Sequence, residues 1–180
     1  MEQLKKQIVN KNLLFVVGII FVACLLRLVP HLPNFTPIGA IALFGGMYLD
    51  KKYAFVLPLV ALFLSDLVLG FHATMPFVYG SFILSGLLGM WVKRKRTGMR
   101  TVVAILASSV LFFVITNFGV WLVSGIYERS PRGLIEAFVM ALPFFRNTIF
   151  GDLVYTTSFI IMYEILRVFS KRQVVSIARK

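Results

Sequence analysis

Six apolar segments, separated by short connections rich in basic residues or proline, fix the solvent in which this chain can fold. With 59% of its 180 residues hydrophobic and a mean hydropathy of +0.88, a soluble domain would lack the polar groups to cover its surface. Lipid is the expected solvent, and one all-α integral membrane domain is the expected architecture. The segments run approximately over Leu13–Val29, Thr36–Leu49, Tyr53–Gly70, Pro76–Val92, Thr101–Val123 and Thr148–Phe169. The second is short for a span and is expected to lie partly below the outer surface.

The net charge of +12 raises nucleic acid as a partner, but the bases sit in the connections and the aromatics in the apolar runs. No stacking groove for a single strand results, so no nucleic-acid partner is expected. Membrane orientation explains the charge instead. Lys5, Lys6, Lys11, Lys51, Lys52, Lys93, Arg94, Lys95, Arg96, Arg100, Arg167, Lys171, Arg172, Arg179 and Lys180 fall on one side of a six-span threading; only Arg27, Arg129, Arg132 and Arg146 fall towards the other. The positive-inside rule places both termini in the cytoplasm, as in a multi-pass protein of the inner (plasma) membrane. Lys93–Arg96 is then expected to meet anionic lipid heads, and Trp91 and Trp121 to act as interface anchors. Cys24, the single cysteine, ends a stretch resembling a lipoprotein signal. Phe21 stands where leucine is usual and apolar sequence continues past it, which favours an ordinary first span.

The same threading gathers Arg27, His31, Asp66, His72, Asn117, Arg146, Asn147 and Asp152 at the outer end. Ionisable groups in a span cost roughly 2.5–3.5 kcal/mol each on insertion scales, so their concentration at one depth marks a candidate site. The prolines of Val29–Pro37 make a non-helical connection there. Thr36-Pro37, Thr74 with Pro76, and Ser130-Pro131 read as helix starts with an N-cap followed by proline. Pro131–Leu142, too short to span, is expected to lie as a separate helix on the outer surface.

Each polar residue admits a structural reading beside the functional one. Asp66 serves either as a buried partner of Arg27 or as a ligand group, and Asn117 either bonds a neighbouring helix or faces the site. His31 and His72 are loop histidines without the spacing of a zinc site. Gly39, Gly45, Gly46, Gly86 and Gly89 are expected at helix contacts, Pro58 to bend its helix or end a first turn, and Glu164 with Arg167 to pair across one helical turn.

Several outer strings resemble the BtuM-like cobalamin transporters, solitary relatives of the substrate-binding S-components of energy-coupling-factor transporters. These strings are Arg27-Leu28-Val29-Pro30-His31, Pro33 to Ala40, Leu64 to Leu67, Gly70 to Pro76, Thr116 to Trp121 and Leu142 to Asn147, continuing to Gly151-Asp152. The same strings also mark a wider group of transport proteins. The resemblance implies a six-helix S-component-like bundle and uptake of cobalamin, another corrinoid or a different polar micronutrient through an outward-facing pocket. It adds Asn34, within a matched string, and Tyr79, at the stretch matching the family's metal-ligand region, to the expected substrate-binding set of Arg27, His31, Asp66, His72, Asn117, Arg146, Asn147 and Asp152.

It also implies a cobalt-ligating cysteine near Tyr79-Gly80-Ser81, where this chain has none; His72 and His31 are the imidazoles left to ligate a metal. Docking to an energy-coupling module would use small residues four apart on the first helix, and Gly18 and Ala23 do not have that spacing. Two other classes compete with uptake: an integral-membrane enzyme using Asp66 and His72 as an acid–base pair, and a scaffold in which the outer polar residues only pair with one another.

Overall fold

The computed structural model describes residues 18–178, and the described elements are all helices. They are α1, described over Gly18–Leu28, α2 (Ile38–Tyr48), α3 (Lys51–Leu69), α4 (Met75–Arg94), α5 (Gly98–Val123) and α6 (Pro131–Ala178). Lys5, Lys6, Lys11, Arg179, Lys180 and the first predicted span before Gly18 lie outside the described residues. α3, α4, α5 and the Pro131–Phe169 portion of α6 are long and apolar enough to cross a membrane.

Burial is distributed as lipid solvation requires. Val68, Val102, Val103, Val110, Ile161 and Ile165 are exposed along the helix surfaces, whereas Ser65, Ser81, Ser85, Ser108, Ser109 and Thr156 are buried between helices. Lipid tails are as apolar as the outward side chains, so association relies on close backbone approach and interhelical hydrogen bonds. Ser85 and Ser108 supply one such bond between α4 and α5, at 2.7 Å.

Side-chain pairs show that successive helices alternate in direction. Arg27 of α1 meets Asp66 of α3, Asp66 meets Tyr79 of α4, and Ser109 of α5 meets Asp152 of α6. The C-terminal ends of α1, α3 and α5 therefore share one end of the bundle with the N-terminal ends of α4 and α6, and the N-terminus of the shorter α2 points towards that end without reaching it. The other end is basic. There Lys93 Nζ donates to the Leu49 carbonyl just past α2, Arg96 lies 4.5 Å from the Tyr48 ring centroid, and Arg100 lies 4.9 Å from that of Trp91. Glu164 and Arg167 pair at 3.3 Å, as their spacing predicts.

α2 organises the rest. Its eleven residues are apolar on every side, and Ile38 through Met47 are all buried. A helix of this kind has to be surrounded by protein or lipid. Here α3, α4, α5 and α6 enclose it. Glycines set the distance. A methyl at Gly46 would overlap the Gly86 carbonyl and the Met90 amide, one at Gly89 would overlap the Leu43 carbonyl, and one at Gly45 would sit 3.0 Å from the Tyr53 carbonyl oxygen. Pro58 does not interrupt α3. Lacking an N–H, it leaves the Ala54 carbonyl without its usual helical donor. Gly86 packs against that oxygen so closely that a methyl there would lie 2.9 Å away.

Two expectations about helix starts are corrected. Neither Thr36 nor Thr74 caps through its side chain: α2 starts at Ile38 with Pro37 in the cap position, and the Thr74 hydroxyl is taken by His72 Nδ1 at 2.8 Å. Ser130 does cap, accepting from the Gly133 amide at 3.2 Å. The helix it starts is not a separate surface element, however. Pro131–Leu142 is the first part of a continuous 48-residue α6 containing Pro143. A proline removes one hydrogen bond, and packing compensates here: Phe138 and Phe145 both contact Phe113 of α5, with ring centroids 5.5 and 4.6 Å away.

The glycine seam predicts that Gly46→Ala and Gly89→Ala each lower stability by about 1–3 kcal/mol, since the added methyl meets backbone rather than a flexible side chain. Melting of the detergent-purified variants checks this. Gly80→Ala, which meets nothing within 4 Å, serves as the control.

Candidate functional site

α2 is about 16 Å long at 1.5 Å per residue, roughly half a hydrocarbon core. It ends at the basic end of the bundle and starts midway along its neighbours, opposite Asp152 on α6. The remaining half of its column is a cavity of about 380 Å³. Ile38 and Gly39 form its floor, and its walls include Leu62, Val78, Phe82, Ser108, Phe112, Thr148 and Asp152. His31, Asn34 and Thr36 of the α1–α2 connection reach it from above, with His72 and Leu69 at the rim. This volume lies within the range of small-molecule sites.

The connection over the cavity has a defined shape. Leu32–Phe35 closes a turn with a 3.0 Å bond from the Phe35 amide to the Leu32 carbonyl, and Asn34 has φ 63°. Proline followed by a left-handed residue is the sequence of a type II turn, and Asn tolerates that conformation well. Asn147 Nδ2 of α6 donates to the Pro33 carbonyl at 3.0 Å, and the Phe35 ring packs on Tyr155 at 5.4 Å. Asn147 thus positions the connection rather than lining the cavity.

One wall carries an ion-pair network. Arg27 Nη1 lies 2.6 Å from Asp66 Oδ1 and donates to the Ser65 hydroxyl and, at 3.2 Å, to the Leu62 carbonyl. Tyr79 donates to Asp66 Oδ2 at 2.8 Å. Asp66 is 1% exposed, so its charge is met by these groups and not by solvent. Arg27 lines the cavity, whereas Asp66 and Tyr79 stand behind it as the residues that hold it.

The opposite wall holds Asp152, 5% exposed. Ser109 donates to its Oδ2 at 2.7 Å. A methyl at Gly39 would lie 2.5 Å from its Oδ1. Gly39 is thus at a helix–helix contact, as expected, and the contact it makes room for is the Asp152 carboxylate of α6 at the start of α2. The α2 N-terminus has no side-chain cap, and its positive dipole end favours a carboxylate here.

The sequence-predicted residues divide accordingly. Arg27, His31, Asn34, His72 and Asp152 line the cavity; Asp66, Tyr79 and Asn147 support it. Asn117 donates to the Phe113 carbonyl of its own helix at 2.7 Å, and Arg146 is exposed without an ion pair among the described residues, so neither joins the cavity. A residue's place along a helix gave its depth but not its face, which is why both were drawn in. Asp66 and His72 share no hydrogen bond. His31 Nδ1 donates to the Val29 carbonyl at 2.7 Å, and the described residues hold no group of three or more His, Cys, Asp or Glu suited to a metal. Sequence reasoning missed Gly39, Ser108, Ser109, Phe82 and Phe112, small or apolar residues ordinary in any membrane helix.

A family profile matches residues 7–175, nearly the whole chain. The protein belongs to DUF6580, a family of unknown function. No curated protein and no solved structure matches the chain.

Removing one member of a buried pair strands the other. Arg27→Met is expected to destabilise the protein by about 3 kcal/mol, and Arg27→Met with Asp66→Leu to cost less than that single change. Melting of the two variants tests this. At the turn, Asn34→Gly should keep the wild-type melting temperature, while Asn34→Val should lower stability by about 1–2 kcal/mol because a branched side chain resists positive φ.

Proposed function

We propose that this protein is a six-span integral membrane protein of the plasma membrane that binds a polar micronutrient in an outward-facing cavity and serves its uptake. The observation carrying this reading is the half-length α2. It leaves a polar-lined cavity inside an apolar bundle, with buried Asp152 and Ser108 and the charged Arg27 in its walls. Such groups in a membrane bundle are costly unless they line a water- or ligand-filled space. The orientation rests on the charge at the opposite end, where Lys51, Lys52, Lys93, Arg94, Arg96 and Arg100 gather. By the positive-inside rule that end is cytoplasmic, together with both termini.

The resemblance to BtuM-like proteins makes a corrinoid the first ligand to test. A corrinoid macrocycle with its amide arms is larger than 380 Å³, so only its edge would enter the cavity as it stands. A smaller polar molecule would fit within that volume. The geometry favours the smaller ligand.

Purified protein equilibrated with a metabolite extract, and separately with cobalamin, should retain a small molecule detected by mass spectrometry or by the corrinoid absorbance band. Phe112→Trp, which fills the cavity, should abolish retention, and Arg146→Ala should leave it unchanged. Retention of nothing, or retention insensitive to Phe112→Trp, would sink the reading. Orientation has its own check. In a Cys24→Ser background, Arg129→Cys should react with an impermeant maleimide added to intact cells, and Thr97→Cys only after lysis.

A further inference from the structure

The charges around the cavity do not balance. Arg27 is matched by Asp66, with Tyr79 and Ser65 completing the network. His31 and His72 are exposed at the mouth, each with Nδ1 already engaged by a neighbour in sequence. Asp152 has no cation paired with it among the described residues. It is 95% buried by its 5% exposure, and its protein hydrogen bond comes from a neutral serine to Oδ2. Oδ1 has no hydrogen-bond partner among the described residues and lies at the cavity floor beside Gly39. The α2 N-terminus supplies only about half a positive charge. Ionised, Asp152 would be an unpaired carboxylate inside an apolar bundle, a costly state that a bound cation would stabilise.

The wall near that carboxylate is aromatic. Phe82 and Phe112 both line the cavity, and their rings lie 5.1 Å apart with planes tilted by 30°. Aromatic faces attract cations and stack on flat rings. We infer that the ligand is a small organic cation: an aromatic or heteroaromatic molecule whose ammonium group meets Asp152 Oδ1 and whose ring lies along Phe82 and Phe112. This assignment rests on the small-molecule reading above and narrows it to one ligand class. Ser109 is a positioning residue, holding the carboxylate through Oδ2 so that Oδ1 stays turned to the cavity.

Three pyridine compounds of matched size separate the charge states: picolylamine as the ammonium, pyridylmethanol as the neutral form and nicotinate as the anion. Titrated into the detergent-purified full-length protein, picolylamine is expected to bind about tenfold or more tightly than the other two, as a charge-assisted contact in a desolvated site should. Asp152→Asn should remove that preference while leaving the unliganded protein at least as heat-stable as wild type, because it neutralises an unpaired buried charge. Ser109→Ala should weaken picolylamine binding by a smaller factor.

Equal or tighter binding of pyridylmethanol or nicotinate, still lost in Phe112→Trp, overturns the cation assignment and leaves the small-molecule site intact. Stabilisation by sodium over potassium that Asp152→Asn abolishes, with no response to picolylamine, overturns it in favour of an inorganic ion. If none of the three compounds binds, the organic-cation assignment fails, and the extract experiment decides the broader reading separately. The preference is measured on wild-type protein, so it does not depend on Asp152→Asn folding.

Discussion

The enclosure of α2 is the constraint on which the structure depends. Eleven residues, apolar on all sides, are wrapped by four longer helices. The wrapping works because glycines on both sides of the α2–α4 seam let backbones touch, and because a proline in α3 frees a carbonyl against which another glycine packs. A helix this short cannot fill its column. The mismatch between α2 and its neighbours creates the cavity and fixes its floor. It also sets an uncapped helix N-terminus at mid-depth, where lipid would not tolerate one.

The polar groups of the walls follow from that mismatch. Arg27 and Asp66 neutralise each other as an ion pair, Arg27 also donates to Ser65, and Tyr79 donates to Asp66 Oδ2, while Asp66 Oδ1 has the ion pair but no directed hydrogen bond. A network of this kind fixes the α1–α3–α4 contact and gives one wall a definite shape. Asp152 is handled differently. It receives a hydroxyl, a helix N-terminus and space at Gly39, but no cation. One acidic residue in the core thus has its cation within the protein, while the other, at the cavity, has none among the described residues. That asymmetry, rather than the number of polar residues, separates the candidate site from the stabilising network of the other wall.

The spans were legible because hydrophobic run length and helix length report the same quantity. The predicted Tyr53–Gly70, Pro76–Val92 and Thr101–Val123 became Lys51–Leu69, Met75–Arg94 and Gly98–Val123. Connections were less legible. Thr36 and Thr74 carry the residue type of a cap but not its geometry, and Pro131–Leu142, expected as a separate helix because it is too short to span, continues through Pro143 as part of α6. For the site, position along each span predicted facing poorly, and for Asp152 it missed the depth as well: expected at the outer end, it lies midway along α6, opposite the start of α2. Arg27 and Asp152 reach the cavity, but Arg146 stays exposed and Asn117 bonds its own helix.

The sequence by itself determined that the chain is a bundle of apolar helices, and it sorted charge between the bundle's ends, because both depend on composition along a line. Tertiary structure alone decided that α2 stops halfway, that Asp66 is spoken for while Asp152 is not, and that Phe82, Phe112 and Gly39 belong to the site. Those outcomes depend on which helix faces meet, and a facing is set jointly by every helix in the bundle.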